Sequence, residues 1–397
     1  MADERRTAAP HAQVRVRADS AGRLTVSRSA VVPHCPDAVP PPRPQAAIES
    51  VPEWFANQAQ LADSRRDNTA HDPHHVPSGT SIGHIFGGHP PIATVMPGDL
   101  LHVRTVDCYG GAIVDVHDVP STVTQWPLVD PVTGPFHIMG ARPGDTLAVH
   151  IVSLAPASSH GLSSTSAHLG QPPQAEGEGP AAPEQVWQYD VDASARTVTF
   201  HARTSDYTTD LPWEPSLGTL GVAPLVGTVG STVPGAHGGA LHTPVLRPGT
   251  TIYLGVHQPG ALLAVGDGHA RRGDGASNGA AVEIGMDVVL VVDVIDGVST
   301  PVPRMETDTH VLSVGIGAHM HQAYLDSLAD LTALVRGITG LDPFDAGQLV
   351  SHTVQVSLGN ITGPLFTMVA GIDKQHLGTG ACYSRVHHRL RSTVSHP

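Results

Sequence analysis

The chain has 397 residues, with 22 Lys and Arg against 36 Asp and Glu, so its formal net charge at pH 7 is −14. This acidic balance argues against nucleic acid or an anionic membrane as a binding partner. Only 15% of the residues are charged and 4% are aromatic, whereas Gly (42 residues) and Pro (35 residues) are abundant. Such a composition favours short strands joined by many turns over bundles of helices.

Cysteine spacing and the lack of long apolar runs bear on the cellular compartment. Cys35, Cys108 and Cys382 are widely spaced and include no C-x-x-C pair, so they support neither a disulfide framework nor a cysteine-rich zinc site. The first residues lack the apolar stretch of a signal peptide, and no apolar run approaches the ~20 residues that span a bilayer. We therefore expect a cytoplasmic protein.

The predicted organisation of the chain has three parts. Residues 1–80 are expected to form a partly disordered extension, because the Pro-rich run at residues 40–44 and the mixed polarity around it bury little apolar surface. Residues 81–375 form a β-rich main region. Residues 376–397 are expected to be a mobile C-terminal tail.

Pro-Gly pairs precede three predicted strands of the main region. Pro suits the second position of a type II turn because its φ is fixed, and Gly suits the third because it accepts a positive φ. The apolar residues after each turn alternate with polar ones, which predicts half-buried strands. The turns are at residues 97–98, 143–144 and 248–249, and the strands are at residues 101–105, 147–151 and 252–256.

A long loop and two further strands complete the β-rich part. Residues 156–185 are predicted to form a long excursion loop. Residues 195–201 alternate in polarity and predict a strand. Residues 286–295 are almost continuously apolar, which indicates a strand at the centre of a sheet.

Helical periodicity is clear only near the C-terminus. Apolar residues recur at helical spacing over residues 324–338, and Gly340 provides the stop. Asp342 and Pro343 suit the N-cap and first position of a second, shorter helix, and residues 354–358 return to a strand. The predicted fold is therefore mainly β, made of β-sandwich or barrel modules with a small α+β part and a helical hairpin near the C-terminus.

Residues 265–275 (VGDGHARRGDG) are the stretch most suggestive of a functional site. Asp267, His269 and Asp274 lie among four Gly, directly after the apolar residues 254–265. Gly lets the backbone approach a ligand closely, and Asp and His are ligands for divalent cations or acid/base groups. The alternative is a hairpin turn, because Gly and Asp dominate turns for local reasons.

This run and several other blocks resemble the acetamidase/formamidase family. Together with AAVE at residues 280–283 the run is similar to the signature of that family, and the other blocks occur in the family's order. They are residues 91–99 (PIATVMPGD), Asp107 with residues 110–113 (GGAI), 133–135 (TGP), 140–145 (GARPGD), 218–224 (GTLGVAP), 234–239 (PGAHGG) and 259–261 (PGA). The resemblance covers roughly residues 80–375. It implies a mainly β catalytic region, hydrolysis of the C–N bond of a small linear amide substrate, and a homo-oligomer.

The residue inventory narrows how an amide could be hydrolysed. Amidases with a Ser-Ser-Lys triad and nitrilase-type amidases with Cys, Glu and Lys both need a lysine, and the chain has only Lys374. Metal-assisted hydrolysis remains. A divalent cation lowers the pKa of a bound water towards ~7 and polarises the amide oxygen. We favour zinc, with calcium or magnesium as alternatives.

Residue type and position within the resembling blocks select the candidate site residues. The predicted metal ligands are Asp107, Asp267, His269, Asp274 and His242; the predicted catalytic residues are Glu283 and His269; the predicted substrate contacts are His237, Gly238 and Gly268. Three of them have structural alternatives. Asp107 can cap a strand end, His237 can be a turn residue, and Glu283 can form an ion pair with Arg271 or Arg272.

Three positions depart from the family's pattern. Ala276 stands where members usually carry Glu, Ala240 where they usually carry Asn, and His242 where they usually carry Asp. The first two changes remove a carboxylate and an amide from the blocks. The alternative function is therefore a diverged, non-catalytic or repurposed member that binds a small ligand or a partner chain.

Overall fold

The computed structural model describes residues 15–18, 24–27, 74–76, 82–166, 183–363 and 365–394. It divides the chain into two units, residues 1–69 and residues 70–397. Most of the expected extension, residues 1–80, therefore lies outside the described residues. In the first unit, the described part is one antiparallel hairpin. The second unit contains all other described elements.

The described strands and helices are numbered in chain order. The strands are β1 (Arg15–Ala18), β2 (Leu24–Ser27), β3 (His74–Val76), β4 (Ile82–Gly83), β5 (Ile85–Phe86), β6 (Ala93–Val95), β7 (Leu100–Arg104), β8 (Val132–Ile138), β9 (Thr146–Pro156), β10 (His160–Thr165), β11 (Gln185–Asp192), β12 (Thr197–His201), β13 (Thr208–Pro212), β14 (Ser216–Gly221), β15 (Val229–Gly230), β16 (Gly238–Ala240), β17 (Thr251–Gly255), β18 (Leu263–Arg271), β19 (Val282–Glu283), β20 (Met286–Ile295), β21 (Arg304–Glu306), β22 (His310–Gly317), β23 (Gln355–Leu358) and β24 (Phe366–Asp373). The helices are α1 (Pro120–Val123), α2 (Met320–Thr339), α3 (Pro343–Thr353) and α4 (Val386–Val394), with 3₁₀ turns at Lys374–Leu377 and Cys382–Arg385.

Two large sheets form the second unit. The first has eleven strands along the path β13-β12-β11-β10-β19-β18-β14-β16, with β8 pairing to β18 and to β4 and β6. The second has nine strands in the order β23-β24-β22-β21-β17-β9-β20-β7-β3. One hydrophobic core takes side chains from both, including Leu217 and Val265 of the first sheet and Ile252 and Leu290 of the second. The predicted mainly β architecture is confirmed.

The local predictions for turns and for the central strand are also confirmed. Each Pro-Gly pair forms a turn whose Gly has a positive φ, namely 92° at Gly98, 98° at Gly144 and 88° at Gly249. A backbone hydrogen bond closes each turn, as from the Asp99 N–H to the Met96 carbonyl at 3.0 Å. The apolar strand β20 lies between β9 and β7, inside the nine-stranded sheet.

The helical hairpin near the C-terminus follows its sequence signals. Helix α2 ends before Gly340, which adopts a left-handed φ of 75°. The Asp342 carboxylate then caps α3 by accepting hydrogen bonds from the N–H groups of Phe344 and Asp345. Helix α2 packs on β22 and β24, so the hairpin covers part of the nine-stranded sheet.

Two expectations about irregular segments are wrong. The predicted loop over residues 156–185 contains strand β10 and the first residue of β11, and these two strands pair in the eleven-stranded sheet; residues 167–182 lie outside the described part. The expected mobile tail contains α4, whose Val386 and Leu390 are buried against β9, β17 and β20. These two apolar residues are four apart and share one helix face, so burying that face stabilises the helix on the sheet. None of the described helices is long and apolar enough to cross a membrane.

Candidate active site

The signature run forms a buried strand, not a hairpin turn. Residues 263–271 are β18, and all but its last residue are buried. Side chains alternate between the two faces of a strand, so Asp267 and His269 lie on one face and Gly266 and Gly268 on the other. A Cβ at Gly266 would lie 2.1 Å from the Pro131 carbonyl oxygen, and one at Gly268 would lie 2.3 Å from Met286 Cγ. Gly268, a predicted substrate contact, therefore permits close packing against β20.

A third glycine leaves room for the polar side chains. Gly218 lies on β14, the strand that pairs with β18. A Cβ at Gly218 would lie 1.7 Å from Asp267 Oδ2 and 2.7 Å from His269 Cε1. No side chain fits at Gly218 while Asp267 and His269 keep their positions.

Five ionisable side chains meet at this point and are called the Asp–His cluster: Asp130, His242, Asp267, His269 and Glu283. Asp267 Oδ2 lies 3.1 Å from His269 Nε2 and 3.1 Å from His242 Nδ1. His269 Nε2 lies 3.5 Å from Glu283 Oε2, and His242 Nε2 lies 3.5 Å from Asp130 Oδ2. The side chain of His242 is 13% exposed and the other four are 9% exposed or less. Two imidazoles and three carboxylates are thus gathered in a nearly dry environment.

The strand pairing explains how the cluster is assembled. Glu283 of β19 is paired directly with His269 of β18, so the two side chains share a face. Ser216 of β14 is paired with His269 from the other side. The Ser216 hydroxyl lies 3.4 Å from His269 Nδ1, which leaves Nε2 facing Asp267 and Glu283. Ser216 is therefore a positioning residue for the ring of His269.

Buried oxygens without hydrogen bonds make the cluster a candidate binding site. Asp267 Oδ1 and Glu283 Oε2 are buried and have no hydrogen-bond partner among the described residues. Most buried polar atoms in proteins are hydrogen-bonded, so such atoms call for a bound ion or water. His242, Asp267 and His269 each offer one ligand atom, and these atoms lie within 4.8 Å of one another. Their mixed nitrogen and oxygen donors fit a divalent cation such as zinc.

The backbone is strained at three members of the cluster. Asp130, His242 and Asp267 have φ values of 51°, 47° and 56°. Asp and His reach this left-handed region more often than most residues, yet it still costs about 1–3 kcal/mol per residue. Strain of this kind is concentrated at functional sites.

The pKa values of the cluster residues are shifted in different directions. Burial alone would raise the pKa of Asp267, but His269 and His242 outweigh it and hold that pKa well below its ordinary value. Burial lowers the pKa of His269, and Asp267 offsets this only in part. Burial also acts to lower the pKa of His242, but Asp267 and Asp130 outweigh it and the pKa is raised. Burial and then the charge of Asp267 raise the pKa of Glu283 well above its ordinary value. Asp267 is thus held in its anionic form, whereas Glu283 is suited to take up a proton.

A small cavity opens beside the cluster. Its volume is about 110 Å³, well below the ~300–1,000 Å³ of pockets for drug-sized ligands. Asp130, His242 and Glu283 form part of its polar wall, and Trp126 and Val129 form part of its apolar wall. A molecule of a few heavy atoms fits there in contact with the ionisable groups.

Several predicted site residues lie outside the cluster. Asp107 is half-buried, and its carboxylate accepts hydrogen bonds from the N–H groups of Tyr109 and Gly111. These bonds fit the alternative interpretation, in which Asp107 caps the backbone after a strand. Asp274 is exposed after the end of β18. The structure therefore brings His242, Asp267 and His269 together as candidate ligands and leaves these two carboxylates apart.

The predicted substrate contacts around His237 are also not part of the cluster. The buried His237 ring packs edge-on against Phe86, with ring centroids 5.2 Å apart, and burial lowers its pKa to about 4. The adjacent Gly238 lies on β16 and has a φ of 94°. A Cβ there would lie 2.3 Å from the Leu220 carbonyl oxygen, so close strand packing requires glycine.

The positions that depart from the family pattern have different surroundings. Ala276 lies in the loop after β18 with a φ of 38°. Ala240 is buried and paired with Thr219, whose hydroxyl has no hydrogen-bond partner among the described residues. His242 belongs to the Asp–His cluster.

Asp130, Cys108 and Ser216 were not selected from the sequence. Asp130 follows β7 and α1, far along the chain from β18, and belongs to none of the resembling blocks. Only the folded chain brings it to His242. The Ser216 hydroxyl is likewise identified only by the pairing of β14 with β18.

Comparisons with known proteins identify the family of the chain. A sequence model described as the Acetamidase/Formamidase family matches residues 88–224 and 223–326. No match was found among curated protein sequences.

Solved structures of similar fold cover three quarters of the chain. An acetamidase from Yersinia enterocolitica is 32% identical, with a TM-score of 0.70, over 75% of this chain and 90% of that one. An acetamidase from Bacillus halodurans is 29% identical, with a TM-score of 0.68, over 75% and 98% of the two chains. A predicted acetamidase/formamidase from Thermoanaerobacter tengcongensis is 28% identical, with a TM-score of 0.68, over 75% and 95%. The chain therefore belongs to the acetamidase/formamidase family of amide hydrolases.

Proposed function

We propose that the protein hydrolyses a short-chain linear amide, such as formamide or acetamide, to a carboxylate and ammonia with the help of a divalent cation. The observation that carries the proposal is the buried group His242, Asp267 and His269 beside a cavity of about 110 Å³. The three structural relatives described as acetamidases or as an acetamidase/formamidase support the substrate class.

His242, Asp267 and His269 would hold the cation. The fit rests on their chemistry, since an anionic carboxylate and two imidazoles are the ligands that zinc takes in proteins. When bound, the cation would supply Lewis acidity to the amide oxygen and lower the pKa of water.

Glu283 would move the protons of the reaction. Water adds to the amide carbon and gives one proton to Glu283 Oε2, the oxygen without a hydrogen-bond partner. Glu283 then gives that proton to the amide nitrogen, and the C–N bond breaks to release ammonia and the acid. Burial and the charge of Asp267 raise the pKa of this carboxyl group, which strengthens it as the base that takes up the proton.

A protein nucleophile is less well supported. The Cys108 thiol borders the cavity, but burial and the charge of Glu283 raise its pKa well above the ordinary value. Thiolate is the reactive form of cysteine. Ser277 lies in a G-x-S-x-G sequence at residues 275–279, but it is exposed in a loop that is not followed by a helix.

The cavity wall would select small amides. Val129 and the partly exposed Trp126 face the polar groups across about 110 Å³. Formamide and acetamide place their amide group at Glu283 without displacing either wall. We expect turnover to fall as the acyl chain lengthens.

The test is ammonia release from formamide, acetamide, propionamide and benzamide by the full chain, with and without a chelator. We expect turnover of the short amides that is lost after chelation and restored by zinc. Glu283→Gln should lower kcat by about 10²–10⁴-fold. Glu214→Gln is the matched control, because Glu214 forms a surface pair with Arg271 at 2.8 Å.

Folded, zinc-loaded protein without turnover on any amide would contradict the proposal and favour the non-catalytic alternative. Turnover that persists after chelation, with no residual metal, would contradict the role of the cation but not the amidase activity. The homo-oligomer expected from the resemblance stays a prediction, which light scattering of the purified protein measures.

A further inference from the structure

A second group of ligand atoms lies against the first. Cys108, Asp130 and Asp267 each offer one ligand atom, and these three atoms lie within 4.8 Å of one another. The residues are 3%, 7% and 0% exposed. Asp267 belongs to both groups, so the two groups meet at one carboxylate.

The two oxygens of Asp267 have different surroundings. Oδ2 lies 3.1 Å from both His242 Nδ1 and His269 Nε2. Oδ1 is buried and has no hydrogen-bond partner among the described residues. A carboxylate that uses one oxygen for a first cation can bridge to a second cation with the other. Asp267 Oδ1, which has no hydrogen-bond partner among the described residues, is the oxygen left for a second cation.

The balance of buried charge is compatible with a second cation. Asp130, Asp267 and Glu283 carry three negative charges when ionised, and Arg272, which is 5% exposed, acts on all three. Arg272 and one divalent cation neutralise these carboxylates. Two divalent cations and Arg272 leave two positive charges over, which a Cys108 thiolate and one bound hydroxide would neutralise. Buried charges are costly unless they are compensated, and the charges of the ligand set can be balanced with two cations as well as with one.

We propose that the protein binds a second divalent cation between Cys108, Asp130 and Asp267, with Asp267 bridging the two cations. The inference deepens the proposed function, because it concerns the same site. Sulfur and oxygen donors together favour zinc over calcium or magnesium. The Cys108 thiol loses its proton to solvent on binding, as thiol ligands do.

The metal content of the full chain tests this inference without any substrate. After removal of all metal and reloading with zinc, elemental analysis should give two ions per chain in the wild type. Cys108→Ala should give one ion. The double variant C35A/C382A is the matched control, because it keeps Cys108 as the only cysteine; it should give two.

Cobalt loading identifies the sulfur ligand directly. Cobalt bound to a thiolate shows a charge-transfer band in the near ultraviolet. The wild type and C35A/C382A should show it, and Cys108→Ala should not. Asp130→Asn serves as a second variant if Cys108→Ala does not fold, as judged by circular dichroism, and it too should bind one ion.

One ion per chain in the wild type, or cobalt-loaded protein without the thiolate band, would overturn the inference. Because neither readout uses turnover, its failure is separable from that of the proposed function. Two ions without amidase activity would leave the second site standing and remove the amidase proposal. One ion per chain together with amidase activity would remove the second site and leave the amidase proposal standing.

Discussion

Two regions of the molecule bury pairs of histidines beside acidic residues, and they differ in how their polar atoms are satisfied. In the Asp–His cluster, His242 and His269 contact Asp267, which retains a buried oxygen that has no hydrogen-bond partner in the described part of the chain. At the C-terminal helix, His150 and His387 lie with ring centroids 5.5 Å apart. We call this second pair, with Thr251, the C-terminal histidine pair.

The C-terminal histidine pair is internally satisfied. The Thr251 hydroxyl lies 2.9 Å from His150 Nδ1 and 2.8 Å from His387 Nδ1, so it can donate to one ring and accept from the other. His387 Nε2 lies 3.3 Å from the half-exposed Asp308. A satisfied network of this kind fixes α4 on the sheet and needs no ligand.

The contrast separates a structural histidine pair from a binding site. Single unpartnered buried nitrogens also occur at His137 and His310, so one such atom is not sufficient. The Asp–His cluster differs because unpartnered carboxylate oxygens, left-handed backbone and a cavity coincide there. Buried histidines are therefore informative only together with the atoms around them.

The largest expected effect comes from removing the shared anion. Asp267→Asn should lower kcat by about 1,000-fold, equivalent to about 4 kcal/mol, because the cation loses its central ligand. Metal content should fall in parallel. Asp274→Asn, an exposed change in the same sequence run, should stay within about twofold of the wild type. Equal losses in the two variants would contradict the assignment of the site to the buried cluster.

The C-terminal histidine pair should affect stability, with a defined pH dependence. Burial, followed by His387, lowers the pKa of His150 to about 4 from 6.5. The unfolded chain therefore binds a proton between pH 6.5 and 4 that the folded chain excludes, so stability falls as the pH falls through this window, by at most about 3 kcal/mol. Asp308 opposes this shift and Arg391 reinforces it.

His150→Asn should flatten this dependence. The variant loses the titrating ring, so its free energy of unfolding should change less than that of the wild type between pH 6.5 and 4. Chemical denaturation at several pH values measures both. His160→Asn, at an exposed position paired with Asp190, is the control. An unchanged slope in His150→Asn would show that the pair is not protected from protonation.

The smallest expected effect is at the hydroxyl that orients His269. Ser216→Ala should weaken zinc affinity by about 10-fold, because partners of ligand histidines typically contribute 10–100-fold. Competition with a chromophoric chelator measures the affinity. Ser231→Ala is the control, since Ser231 is equally buried and bonds only the Val129 carbonyl, at 3.2 Å. Equal affinities in the two variants would remove the positioning role of Ser216.

Local signals in the sequence were sufficient to predict many of the turns and helix ends of the fold. The Pro-Gly turns, the cap at Asp342 and the stop at Gly340 act within a few residues, so their outcome does not depend on distant partners. The sequence left a hairpin turn open as the alternative for the signature run, because Gly and Asp dominate turns. The reason it forms β18 is the close approach of Pro131 and Met286, which no local pattern reports.

The site was predictable to the extent that its residues lie in or beside the blocks that resemble the family. His242, just after the block at residues 234–239, was predicted as a ligand and lies in the cluster. Asp267, His269 and Glu283 lie within seventeen positions and were identified. Asp130, Ser216 and Cys108 come from other strands and loops, and their approach depends on sheet order. Asp107 and Asp274 have the right chemistry, but local turn geometry places both away from the cluster.

The three left-handed residues of the cluster also bear on how this protein tolerates change. At Asp130, His242 and Asp267, glycine would relax the backbone, since it reaches positive φ without steric penalty. Selection for thermal robustness alone would therefore drive these positions away from the residues that build the site. The Asp and His residues at these positions therefore indicate a trade-off between stability and activity. Engineers who seek a hardier variant should hold these three positions fixed.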